Sequence, residues 1–298
     1  MNIKKCSIVG VFLVMANSGQ VRRDVLEKVV QQAKREKIFS YDLGVMLIPS
    51  KKDTAGVTIC CHGYGASNQI GRSINSYHVL SDHIMSFNFP DYNLHARPYD
   101  PKKSTFGSIQ EILPLLYILK LCVIDAQVPS VNLYGFSAGG GAIINLLSIL
   151  YGTKYNQELQ NIGIVTEIKK KILTAVEAGH VILDCPLKSW EEVMALRGVS
   201  RDFSIIAERY VLNNMRPIDV LKDLQDMHLT IFLHFQVPDE ILSNRDDALF
   251  IERLRKANTG VTTVTLGHDA GHNSFHTLLW NGYKKSLSTA SKDTCLIS

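Results

Sequence analysis

Apolar residues along this 298-residue chain come in short blocks of two kinds, and the two kinds alternate. From residue 21 to 37 they recur at spacings of three and four (Val25, Leu26, Val29, Val30, Ala33), which predicts an amphipathic helix. The runs 44–49, 57–61, 84–89, 131–134, 181–183, 229–235 and 261–266 are short, apolar or β-branched, and several are closed by Pro, Gly or Asp, which predicts strands. Val57 to Cys61 and Leu229 to Phe235 lack a clean polar alternation, the mark of strands covered on both faces. Between them, 70–82, 106–124, 139–150, 245–257 and 275–285 read as helices, 93–105 as a loop and 151–170 as polar surface. Residues 172–178 suit either a strand or a helix. The alternation predicts an α/β fold with a mostly parallel central sheet flanked by helices.

No internal repeat or low-complexity linker divides the chain. Residues 21–285 therefore read as one domain, with 186–227, a mixed helical stretch, as a small cap. Residues 1–20 read as an N-terminal extension or signal, and 286–298 as a polar tail. At 46% hydrophobic and 20% charged residues, the chain is neither disordered nor fibrous. Its net charge of +4 is already reached within the first 50 residues, which hold eight Lys/Arg and four Asp/Glu. The body is charge-balanced and has no basic cluster, which argues against nucleic acid as a partner. Six cysteines without a CxxC pair support neither a zinc site nor a disulfide framework, and they lean towards a reducing compartment.

Candidate chemistry begins at Gly135-Phe136-Ser137-Ala138-Gly139, a G-x-S-x-G run between a predicted strand and a predicted helix. Such a serine sits on a tight strand-to-helix turn, where small flanking residues leave its hydroxyl exposed and the helix N-terminus favours developing negative charge. A serine nucleophile needs a base, and two histidines follow the last strand. His272, preceded by Ala270-Gly271, is the favoured base and His268 the alternate. Asp239, after the strand 229–235, is the candidate orienting carboxylate, while Glu240 and Asp246 read as solvent-facing or helix-capping neighbours. Two donors for an oxyanion are expected from the backbone N–H of Ala138 and, in the loop His62-Gly63-Tyr64-Gly65, from that of Tyr64. Gly135, Gly139 and Gly63 support the elbow and that loop, and His62 reads as a structural ring bonded to the loop backbone.

On these residues the chain resembles the serine hydrolase branch of the α/β-hydrolase superfamily over roughly residues 40–285. The resemblance implies acyl transfer to water through an acyl-serine, with no metal and no other cofactor. The expected substrate is a small carboxylic ester or a lipid ester. The alternatives are a peptidase or thioesterase on the same fold, or a non-catalytic protein using it for interaction. The region before residue 40 has no counterpart in the family pattern.

The two ends carry competing address signals. Lys4-Lys5 followed by an apolar run to Ala16 has the layout of a short secretory signal, which implies a secreted or periplasmic protein. Cys295-Leu296-Ile297-Ser298 has the form of a prenylation box, which implies a cytoplasmic protein in peripheral membrane contact through a prenyl group on Cys295.

Overall fold

The structure, a computed structural model, describes residues 21–35, 43–51, 54, 56–76, 82–89, 107–189, 191–192, 215–268, 271–273, 276 and 279–285. Both termini and most of the segment expected to form a cap lie outside these residues. Among the described residues no helix is long and apolar enough to cross a membrane.

The described elements are α1 (Arg23–Arg35), β1 (Met46–Ile48), β2 (Gly56–Cys61), α2 (Ile70–Ser76), β3 (His83–Ser86), α3 (Ile109–Lys120), β4 (Ser130–Phe136), α4 (Ala138–Tyr151), α5 (Asn156–Asn161), α6 (Thr166–Glu177), β5 (His180–Asp184), α7 (Pro217–Val220), β6 (Thr230–Gln236), α8 (Asp247–Ala257) and β7 (Thr262–Gly267). Residues 279–285 are helical as well. The strands form one seven-stranded sheet in the order β1-β3-β2-β4-β5-β6-β7. Only β1 runs antiparallel to its neighbour; β3, β2, β4, β5, β6 and β7 are mutually parallel. The fold is a mostly parallel sheet flanked by helices, the α/β-hydrolase architecture.

The two-residue period of a strand divides its side chains between two cores. On one face Val57, Ile59, Cys61, Val131, Leu133, Val181, Leu183, Ile231, Leu233 and Phe235 pack with the buried residues of α1, α3, α4 and α6. On the other, Cys60, Tyr134, Ile182 and Phe232 pack with Ile74 of α2 and with Leu279, Trp280 and Tyr283. Cys60 and Cys61 thus point into different cores. By the same alternation Tyr134, Asp184 and His234 all face the second core, a consequence that reappears at the site.

One open reading is resolved and two local expectations are refined. Residues 172–177 are the second half of α6, not a strand, because Ile172, Ala175 and Val176 form a helical stripe that α6 buries. Residues 151–170 are largely exposed, as their polar composition predicts, and they also contain α5 and the start of α6. The strand expected over 84–89 ends at Ser86, although Phe87 and Phe89 remain fully buried.

Candidate active site

β4 ends at Phe136, and α4 begins at Ala138, so the chain reverses within Ser137 alone. Ser137 has φ 52° and ψ −120°, a conformation that L residues rarely adopt. It is held by the Ser137 N–H donating to the Asp184 carbonyl (2.9 Å), and by its own carbonyl accepting from Gly140 N–H (2.9 Å) and Leu187 N–H (2.9 Å). The turn also requires close approach. A side chain on Gly139 would drive into the carbonyl oxygens of Cys61 and His62, and one on Gly135 would meet Ile143 and the backbone of Gly139 and Gly140. Small residues at both positions let α4 settle against the end of β2 and β4.

The loop after β2 lies against this turn, since a Cβ built on Gly63 would sit 3.1 Å from the Ser137 Cβ. His62 braces that loop. Its Nδ1–H donates to the Gly63 carbonyl (2.8 Å) and its Nε2 accepts from Phe89 N–H (3.1 Å). Both ring nitrogens are therefore used in the neutral tautomer, and burial pushes the ring's pKa down to about 4. Tyr64 follows directly and packs partly against the first core. Ala138 follows the serine at the start of α4, and Tyr64 follows Gly63, the residue of the loop that lies against the turn.

Asp239 lies beyond β6, after a cis Val237–Pro238 bond. One carboxylate oxygen accepts from Ile241 N–H and Leu242 N–H (2.7 Å each), while the other accepts from His272 Nδ1–H at 2.7 Å. Burial opposes ionisation of Asp239, but the His272 hydrogen bond and charge, with the two backbone N–H groups, outweigh it and hold the carboxyl below its usual range. His272 is buried, and the Phe136 ring, one residue before Ser137, lies 5.1 Å from the His272 ring. The His272 Nε2 is buried and makes no hydrogen bond, so the Ser137–His272 bond is not closed in this structure. Hydrogen bonds of this kind commonly tighten only around a bound substrate. His268 is exposed and gives its Nδ1–H to the Val237 carbonyl (2.8 Å); of the two histidines, the one joined to Asp239 is His272.

Three polar side chains enter the site that sequence reasoning set aside or did not single out. Glu240, read as solvent-facing, accepts the His272 backbone N–H at 2.7 Å. Asp184, at the end of β5, accepts from His276 Nδ1–H at 2.5 Å and from the Tyr134 hydroxyl at 3.0 Å. The available signal was an aspartate at a strand end and a histidine four residues beyond the base, but nothing in the sequence joins them.

Donor atoms of Asp184, Cys185, His234 and His276 lie within 4.8 Å of one another, a grouping with the composition of a metal site. The detailed geometry does not fit one. Both His276 nitrogens are already bonded, to Asp184 and to the Gly271 carbonyl (3.2 Å). The His234 and His276 rings stack at 4.4 Å, so their lone pairs do not converge. Cys185 Sγ is equidistant (3.9 Å) from both His276 nitrogens, so it lies along the lone-pair direction of neither. The cluster is a hydrogen-bonded network beneath the Asp239–His272 pair.

No protein-family model matches the sequence, and no curated protein matches it. Solved structures do resemble it in fold. An esterase of Pyrococcus furiosus is 14% identical, with a TM-score of 0.51 over 85% of this chain and 92% of that one. A thermophilic esterase of Thermogutta terrifontis with bound propionate is 14% identical, with a TM-score of 0.54 over 88% and 92%. An inhibited esterase B of Lactobacillus rhamnosis is 16% identical, with a TM-score of 0.54 over 91% and 98%. The chain therefore has an α/β-hydrolase-like fold related to esterase structures.

Proposed function

We propose that this protein is a serine hydrolase that cleaves a carboxylic ester or lipid ester through an acyl-serine intermediate. The observation that carries this reading is the Asp239–His272 pair, whose Nε2 is left without a hydrogen bond and whose ring lies 5.1 Å from that of Phe136, the residue before the strained Ser137 turn. With Nδ1–H committed to Asp239, the neutral ring keeps its lone pair on Nε2, the form a general base needs. Ser137 Oγ attacks the acyl carbon as its proton passes to Nε2. The backbone N–H groups of Ala138 and Tyr64 receive the oxyanion. The leaving alcohol then takes the Nε2 proton. Water, deprotonated by His272 in turn, attacks the acyl-serine and returns the free acid and the Ser137 hydroxyl. Asp239 stays ionised throughout and stabilises the transient imidazolium.

Esters rank ahead of peptides and thioesters as substrates because the fold's relatives are esterases, one of them carrying propionate. The test is to assay purified protein on short- and medium-chain nitrophenyl esters, with peptide and thioester substrates alongside, and to treat it with a fluorophosphonate probe. Wild type should turn over esters and label at Ser137. Ser137→Ala should lose label and at least about 10⁴-fold in kcat. Ester turnover unchanged in Ser137→Ala would remove the proposal.

A further inference from the structure

The peptide unit that carries the base is gripped at both ends. The Gly271 carbonyl accepts from His276 Nε2–H (3.2 Å), and the His272 N–H donates to Glu240 (2.7 Å). His276 in turn is anchored through Nδ1 to Asp184 (2.5 Å), whose second oxygen is taken by the Tyr134 hydroxyl. Strand periodicity explains the anchor, because Tyr134 and Asp184 lie on the face against which Leu279, Trp280 and Tyr283 pack.

We propose that His276, held as an imidazolium by Asp184, is a positioning residue that fixes the Gly271–His272 peptide and thereby aims the His272 ring at Ser137. This rests on the triad reading above and adds a residue to it. A carbonyl can only accept, so the His276 nitrogen facing Gly271 must carry a proton; a carboxylate can only accept, so the nitrogen facing Asp184 must carry one too. His276 therefore cannot serve as a base, and its charge is what makes the grip two-ended.

The groups facing His276 allow that charge. Asp184 lies on β5 and Asp239 lies beyond β6; both are carboxylates. Tyr134 on β4, with its pKa raised by burial and by Asp184, is a neutral phenol, and Cys185 is a neutral thiol. His234 on β6, pushed down to about 4 by burial, is neutral. Burial works against the His276 cation, but Asp184, the Gly271 carbonyl and Asp239 outweigh it and raise its pKa above the ordinary value. As pH rises through that value, the proton leaves Nε2, since the carboxylate retains Nδ1–H. The lone pair so exposed then faces the Gly271 carbonyl, and the grip is lost.

The experiment has a spectroscopic arm and a kinetic arm. In wild-type protein with ¹⁵N-labelled histidine followed through a pH titration, one ring should keep two protonated nitrogens above the ordinary histidine value of about 6.5, and His276→Gln should remove that signal. The downfield Nδ1–H resonance of His272, bonded to Asp239, should broaden or vanish in the same variant. In ester hydrolysis, His276→Gln should lower kcat by about 100-fold with little change in KM, the scale of a misplaced catalytic group. It should also abolish the alkaline fall of the pH profile. Asp184→Asn should instead move that fall to lower pH, because His276 then loses its proton more readily. A role confined to packing would lower the melting temperature of both variants and leave the alkaline limb in place, which overturns the proposal. So does a wild-type spectrum with no doubly protonated ring, or an unaltered His272 resonance in His276→Gln. If wild type neither turns over esters nor labels at Ser137, the hydrolase reading fails, and the two spectroscopic results still decide the His276 grip.

Discussion

His272 and His276 are four residues apart, and each gives its Nδ1 proton to an aspartate, yet only one is suited to be a base. The difference lies in the second nitrogen. For His276 it meets a carbonyl oxygen, which only a protonated nitrogen can bond; for His272 it meets no hydrogen-bond partner and stays uncommitted. His268, the alternate base from sequence, spends its Nδ1–H on the Val237 carbonyl at the surface. Kinetics separate these residues. Asp239→Asn should reduce kcat by about 10³- to 10⁴-fold, because the amide can hold the ring in the wrong tautomer. His268→Gln should stay within roughly twofold of wild type, as expected for an exposed side chain away from such networks.

At the scale of elements, the site is a product of how closely β2, β4 and α4 approach. The strained φ of Ser137 is tolerated because its amide and carbonyl are tied to Asp184, Gly140 and Leu187 on either side. Gly139 gives α4 the clearance it needs over the end of β2, where the opposing atoms are backbone carbonyls that have no rotamer with which to yield. Gly139→Ala should therefore displace the elbow itself. The expected result is a loss of about 1–3 kcal/mol or more in denaturant unfolding, as for overpacking elsewhere, together with loss of fluorophosphonate labelling. Labelling at the wild-type rate in a folded Gly139→Ala protein would show that the turn does not depend on this contact.

Across the whole molecule, buried histidines couple stability to pH in opposite senses. His62 and His234 are each pushed down to about 4 by burial, so the unfolded chain binds protons that the native one refuses. Their contribution is complete above about pH 6.5 and is lost as pH falls towards 4. His276, with a raised value, contributes fully below about pH 6.5 and loses its contribution as pH rises through its folded pKa. Urea titrations from pH 4 to 6.5 should show stability falling with acid, with a slope in His62→Gln reduced by up to about 1.4 kcal/mol per pH unit. An unchanged slope would mean that His62 is not held neutral in the native state.

The alternation of apolar blocks was enough to name the strands, because a parallel strand buried on both faces must be apolar almost throughout. At 151–170 the polar composition marked surface correctly but hid α5 and the start of α6, whose apolar stripes are diluted by polar residues. The Ser137 turn was legible because its constraint is local: small residues on both sides of one serine, between a strand and a helix. Asp239 could be nominated from its place after a strand, but a carboxylate finds its histidine only through space, and it was tertiary contact that paired it with His272. Asp184, His276 and Glu240 were beyond reach for the same reason. Their meaning depends on which face of the sheet a residue occupies and on which nitrogen of a ring is left over, and neither is encoded by any stretch of neighbours along the chain.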